Sequence, residues 1–264
     1  MNMDISRAVF SILFLLIAGL FSVPLSHAVC DPHCQNVSVI GQLTAFEDVS
    51  ITTSGGNHIL IVAIRNGNGT GAITSTITNT SLTWVLDIHR GSNQGWGHDL
   101  YCAIVPGAGL QSFRVNTNNG AVGIRILTEE YTSGVTCPAS HVAGATGTGT
   151  TIDSGGITTS AAALIIAAGA TDGDANGDNA GWSAGSGFSI RNPACNTGVE
   201  PDQKVCVEDK GIQASGTYNG TFGLVFSDSW DGIVASYNVE VVAPPAYARP
   251  AAGYRPPAGQ RPVR

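Results

Sequence analysis

Ile51-Thr52-Thr53-Ser54, leading into the apolar run Ile59 to Ile64, returns 106 positions later as Ile157-Thr158-Thr159-Ser160, leading into Leu164 to Ala168. The correspondence continues outward. Trp84 after Ser81-Leu82-Thr83 is answered by Phe188 after Gly185-Ser186-Gly187, Gly109 to Val115 by Gly216 to Leu224, and Tyr131 by Tyr237. So long a period is not that of a solenoid, whose repeats run to about 20–50 residues. It predicts two pseudo-repeated halves that together complete one all-β, two-sheet β-sandwich of jelly-roll or Greek-key type. Both apolar runs lack the polar alternation of a half-exposed strand, so they are expected as central strands or strands covered on both faces.

Composition agrees. Charged residues make up only 12% while glycine reaches 34, and Thr, Ser and Asn crowd the segments between apolar runs, as in a chain of short strands joined by turns. About eleven strands are expected, near 37–46, 58–65, 80–88, 98–105, 110–117, 121–131, 161–171, 187–191, 204–212, 216–227 and 232–242. Asn119-Gly120 between two alternations predicts a type I′ hairpin, and Asn219-Gly220 either a second turn or a bulge.

Residues 1–28 read as a signal peptide. Arg7 precedes the apolar stretch Ala8 to Val23, and Ser26-His27-Ala28 supplies small residues before the cut. That stretch is shorter than the ~20 residues a spanning helix needs, and no membrane span is expected once it is removed. A single sandwich domain over 29–243 and a proline-rich, basic, disordered tail over 244–264 follow. The body carries 7 basic and 18 acidic side chains; the tail carries 4 basic, none acidic, and 6 of the 12 prolines. In the tail Arg249, Arg255 and Arg261 each precede a proline at a spacing of six, which sets three guanidiniums on one edge of a polyproline helix, about 19 Å apart. The acidic body argues against nucleic acid as a partner.

All six cysteines lie beyond the cut, an even count that favours disulfides in a secreted or cell-surface chain. Proximity suggests Cys195 with Cys206 first, then Cys102 with Cys137 and Cys30 with Cys34.

Taken in order, Leu60 to Ala63, Ser81 to Val85, Gly109 to Val115, Glu130 to Gly134, Thr158 to Ala167, Gly187 to Arg191, Glu208-Asp209 and Trp230 to Tyr237 resemble a β-sandwich module of secreted and cell-surface bacterial proteins, most of them uncharacterised. The resemblance covers roughly 51–240. It implies an extracellular jelly-roll-like module and no catalytic residues.

Three constellations bear on function. Asp172, Asp174, Asn176 and Asp178 place oxygen ligands at alternating positions around Gly177, the start of a Ca²⁺ loop that then lacks its bidentate Glu, since Ser183 stands there; a bare solvated turn is the competing reading. Trp96 and Trp182, flanked by glycines, are expected on loops where a sugar ring could stack, with Asn93, Gln94, His98 and Asp99 to orient its hydroxyls. A Trp folded back over the core rim is the alternative. For hydrolysis, Glu129 and Glu130 are neighbours on a predicted strand and so face opposite ways, while Asp87 and His89 should share a face, with His98 nearby.

The expected function is therefore a non-enzymatic secreted surface or matrix protein, a carbohydrate-binding or adhesion module working through glycan contact or self-association. A structural subunit of an extracellular fibre or layer and a jelly-roll polysaccharide hydrolase or lyase are the alternatives.

Overall fold

The computed structural model describes residues 32–67, 73–91, 95–117, 122–172, 181–192, 195 and 204–240. The leader, Cys30, Asn93, Gln94, Asp174, Asn176, Asp178 and the basic tail lie outside these.

The described chain is all-β: β1 (His33–Thr44), β2 (Phe46–Thr53), β3 (His58–Gly67), β4 (Ser75–Thr78), β5 (Val85–Gly91), β6 (Trp96–Val105), β7 (Gly109–Thr117), β8 (Val122–Ser133), β9 (His141–Thr159), β10 (Ala163–Thr171), β11 (Ser189–Ile190), β12 (Lys204–Gln213) and β13 (Gly216–Asn238). Every named strand pairing is antiparallel. Two sheets have five strands, ordered β1-β8-β3-β6-β5 and β9-β13-β10-β12-β11, and a third has three, β2-β7-β4.

The two large sheets use one plan. β3 is flanked by β8 and β6, and β10 by β13 and β12; Ile59 lies opposite Tyr131 just as Leu164 lies opposite Tyr237. The small sheet pairs β2 with β7 from Thr53↔Gly109 to Phe46↔Asn116. In the second half the same pairing runs from Thr159↔Gly216 to Ile152↔Phe222, inside the long strands β9 and β13.

Alternation then stacks the layers. Ile59, Ile61 and Ala63 of β3 join Leu164, Ile166 and Tyr237 in one core that draws on both large sheets. Leu60, Val62 and Ile64 point the other way, onto Val49, Ile51, Phe113 and Val115 of the small sheet. On β10, Gly169 faces Trp182, Ile152 and Phe222, so the late part of β9 and the early part of β13 curl over its far side. Both central strands are consequently covered twice, as their unbroken apolar runs require. A Leu or Ile side chain buried this completely contributes about 1.5–3 kcal/mol, and these strands hold nearly all of theirs out of water.

Two disulfides tie these layers. Cys102 on β6 is bonded to Cys137, and Cys195 to Cys206 on β12, the pairings expected from proximity. Cys34 is also disulfide-bonded; its expected partner, Cys30, lies outside the described residues.

The structure corrects several expectations. The all-β, sandwich-like fold is as expected, but among the described residues its strands form three sheets and not two. β2, β4 and the whole of β9 were not expected as strands, the strand expected near 80–88 begins only at Val85, and those near 216–227 and 232–242 are one strand, β13. Asn119-Gly120 lie outside the described residues; the strands on either side do not pair as a hairpin, since β7 pairs with β2 and β4 whereas β8 pairs with β1 and β3. Asn219-Gly220 proves to be a bulge: the β9 register slips there, where a Cβ on Gly220 would come within 2.3 Å of the Ala167 Cβ.

Gly97 shows how closely the layers approach, because a Cβ at this position would sit 1.8 Å from the Ile73 carbonyl oxygen. Backbone cannot yield as a flexible side chain can. Gly97→Ala is therefore expected to lower stability by about 2–3 kcal/mol in urea unfolding; a loss under about 0.5 kcal/mol, the ordinary surface value, contradicts this contact.

Candidate functional site

A strand buried on both faces tolerates an ionisable side chain only if it is paired or neutral. β8, β6, β12 and β13 carry many such groups, and most of them meet along the seam between the large sheets.

At one end, Glu129 of β8 lies with its Oε2 2.6 Å from His33 Nε2 on β1. Burial raises the Glu129 carboxyl above its ordinary range, His33 and Asn192 oppose that rise, and the charge of Asp209 adds to it. Tyr131, two residues on, shares this face, packs edge-on against the His33 ring at 5.3 Å and is raised well above its usual range by burial. Asp209 of β12 accepts two bonds from Arg191, at 2.8 and 3.3 Å. Among the described residues Glu129 Oε1 and the Tyr131 hydroxyl find no hydrogen-bond partner.

Midway, Tyr237 of β13 donates to Asp87 Oδ2 at 2.7 Å and the Ala139 amide donates to its Oδ1 at 2.8 Å. Burial raises this carboxyl too. Further along, His98 Nδ1 lies 3.0 Å from Asp231 Oδ1, and Arg90 approaches the other oxygen at 3.4 Å. At the far end the guanidinium of Arg65 lies 5.0 Å from the Trp96 ring centroid and donates to Asp172 Oδ1 at 2.9 Å. Burial lowers Arg65 to about 10, with Asp172 and Asp228 opposing the drop.

Two clusters sit on other faces. His89 Nδ1 is 2.5 Å from Asp99 Oδ1, which raises the imidazole, and the Ser75 amide donates to Asp99 Oδ2 at 2.8 Å. Glu130 receives the Ser54 amide and hydroxyl at 2.8 and 3.0 Å and Gln35 Nε2 at 2.6 Å, with His58 Nδ1 at 2.7 Å. Cys34 Sγ, His58 Nδ1 and Glu130 Oε1 lie within 4.8 Å of one another. A cysteine binds metal as its thiolate, and Cys34 is in a disulfide, so this trio offers two ligands and not three.

The expected site residues are thus dispersed. Trp96 and Trp182 are only 1% and 4% exposed, which corrects their placement on open loops; neither ring offers a face for a sugar. Trp96 opens β6 beneath Arg65, and Trp182 packs edge-on against Phe222. His98 and Asp99 are buried and turned to opposite faces of β6, one toward Asp231 and the other toward Ser75. Asp172 spends an oxygen on Arg65, whose charge opposes a cation at that point. Glu129 and Glu130 do face opposite ways, but Asp87 and His89 do not share a face. The β5 register slips between Leu86 and Ile88, and the extra residue turns Asp87 toward Tyr237.

Glu208 was noticed in the sequence only as half of an acidic pair. It is fully buried on β12, accepts the Gly185 amide at 2.8 Å, and is pushed up to about 8 by burial against the opposing effect of the Gly185 and Thr221 amides. An acidic residue between Val207 and a strand partner in the all-apolar β10 was the available signal.

No protein-family model, no curated protein and no solved structure matches the chain. Among the described residues no helix is long and apolar enough to cross a membrane.

Glu208 provides a pH test. Its folded pKa lies above the ordinary 4.5, so its favourable contribution is complete below pH 4.5 and is lost as pH rises toward 8. Glu208→Gln, an isostere of the protonated acid, should match the parent at pH 4 and exceed it by up to about 4 kcal/mol at pH 8, each pKa unit being worth ~1.4 kcal/mol. Urea unfolding at both pH values measures the gap; a pH-independent difference contradicts the assignment.

Proposed function

We propose that this chain is a non-enzymatic component of an extracellular surface or matrix, and that it works by self-association. The observation that carries the reading is the closure of the polar seam. Glu129, Asp209 and Asp231 are buried between the sheets, Glu130 and Asp99 on other faces, and each already holds a histidine or arginine of this chain. Carboxylates spent in this way hold layers together and are poorly placed to receive a substrate. Breaking such a buried pair from one side costs about 3–5 kcal/mol, the scale of a structural role.

Glycan contact through stacked tryptophan has less support, since both candidate rings are covered. The leader-like residues 1–28 and the disulfides support export. The order β1-β8-β3-β6 set against β2-β7-β4 supports a jelly-roll-like reading of each half.

Multi-angle light scattering of the exported chain over a hundredfold concentration range is the test. A mass that climbs with concentration, without turnover of neutral or acidic glycans, is expected. Glycan cleavage lost in Glu129→Gln or Glu208→Gln would replace this reading with the hydrolase one.

A further inference from the structure

Resting on that reading, we infer that two copies join through the free edge of β9, paired antiparallel about Thr148. β9 is 19 residues long and ends its sheet, hydrogen-bonded to β13 on one side. Among the described residues no strand pairs with its other side, which presents a row of backbone donors and acceptors. Such an edge recruits another strand unless it is short, charged, interrupted by proline or bulged away.

The other edges carry these defences; β9 shares only the register irregularity, with slips against β13 between Gly149 and Thr151 and between Asp153 and Gly156, and is neither short, charged nor interrupted by proline over its first half. β4 has four residues and β11 two, β5 is broken at Asp87 and carries Arg90, and β2 bears Glu47 and Asp48. β1 has register irregularities near both ends. On β9, Val142 to Ile152 contains neither a charged residue nor a proline. The irregular backbone at Gly149, where φ is 146°, faces open space: a Cβ there would meet nothing within 4 Å.

The occupant is a second copy because the edge is complementary to itself. Thr146-Gly147-Thr148-Gly149-Thr150 reads identically in both directions. A two-fold axis at Thr148 therefore sets Thr146 against Thr150 and Gly147 against Gly149. Thr146, Thr148 and Thr150 are exposed and lie on one face of the strand, where cross-strand Thr pairs are favourable. Asp153, the nearest charge, falls opposite Ala143, so no like charges meet between two otherwise acidic bodies. The contact is isologous and closes as a dimer, fusing two five-stranded sheets into one.

Sedimentation equilibrium of the full exported chain should show a monomer–dimer equilibrium that Thr148→Lys weakens at least tenfold, with unchanged circular dichroism. Register is read by crosslinking. Thr148→Cys should form an intermolecular disulfide with itself under mild oxidation, and Thr146→Cys should do so only when mixed with Thr150→Cys. A monomer at every concentration overturns both this contact and the self-association reading. Association that survives Thr148→Lys, with no Thr148→Cys crosslink, overturns only this contact and places the interface elsewhere.

Discussion

Two strands with no face to give to water, β3 and β10, dictate most of this molecule. Each is apolar almost throughout, so each demands a layer above and a layer below. One layer serves both: the large sheets share a single interior, with β3 and β10 at the centre of each. The remaining outer faces need separate covers, the small sheet for β3 and the folded-over parts of β9 and β13 for β10. That need explains the length of β9 and β13. A strand that must first lie in a five-stranded sheet and then cover its far side has to turn without ending, and register slips along β13 at Asn219 and Gly223 accomplish this.

The same burial governs the polar groups. Four of the five described histidines sit against a buried carboxylate, each from a neighbouring or facing strand. In so dry an interior an unpaired carboxylate costs more than the hydrogen bonds of its partner return, which is why Glu208, lacking a cationic partner, keeps its proton to about pH 8. Pairing across the seam also fixes how the two sheets are aligned. His98 with Asp231 and Tyr237 with Asp87 join side chains more than 130 positions apart, and a one-residue slip of either sheet would break both.

What the sequence disclosed follows from these same constraints. The runs at Ile59 and Leu164 announce themselves because burial on both faces leaves no polar alternation to blur. Disulfides over short separations were equally legible. β9 was invisible because its Gly-Thr alternation carries no hydrophobic period, though its backbone is strand throughout. Asp87 misled for a different reason: one bulge reverses the face of every residue beyond it, and nothing in Leu86-Asp87-Ile88 marks the slip. Trp96 misled because flanking glycines suggest a loop. Here Gly97 is present so that β6 can approach the Ile73 carbonyl, and the indole lies beneath a buried Arg65.

The site residues proved harder to read than the fold because their meaning depends on partners remote in the chain. His98, Asp99 and Asp172 are chemically suited to ligands, and each is committed to another residue of the protein itself. For the dimer inferred above, the binding capacity lies instead in backbone, along the edge strand β9. Over Val142 to Ile152 β9 carries no charge, so an approaching surface meets Thr and Gly on a strand that is hydrogen-bonded to β13 on one side. In the dimer inferred above, recognition would depend on shape and register more than on side-chain chemistry, and a palindromic strand would supply both to its own twin.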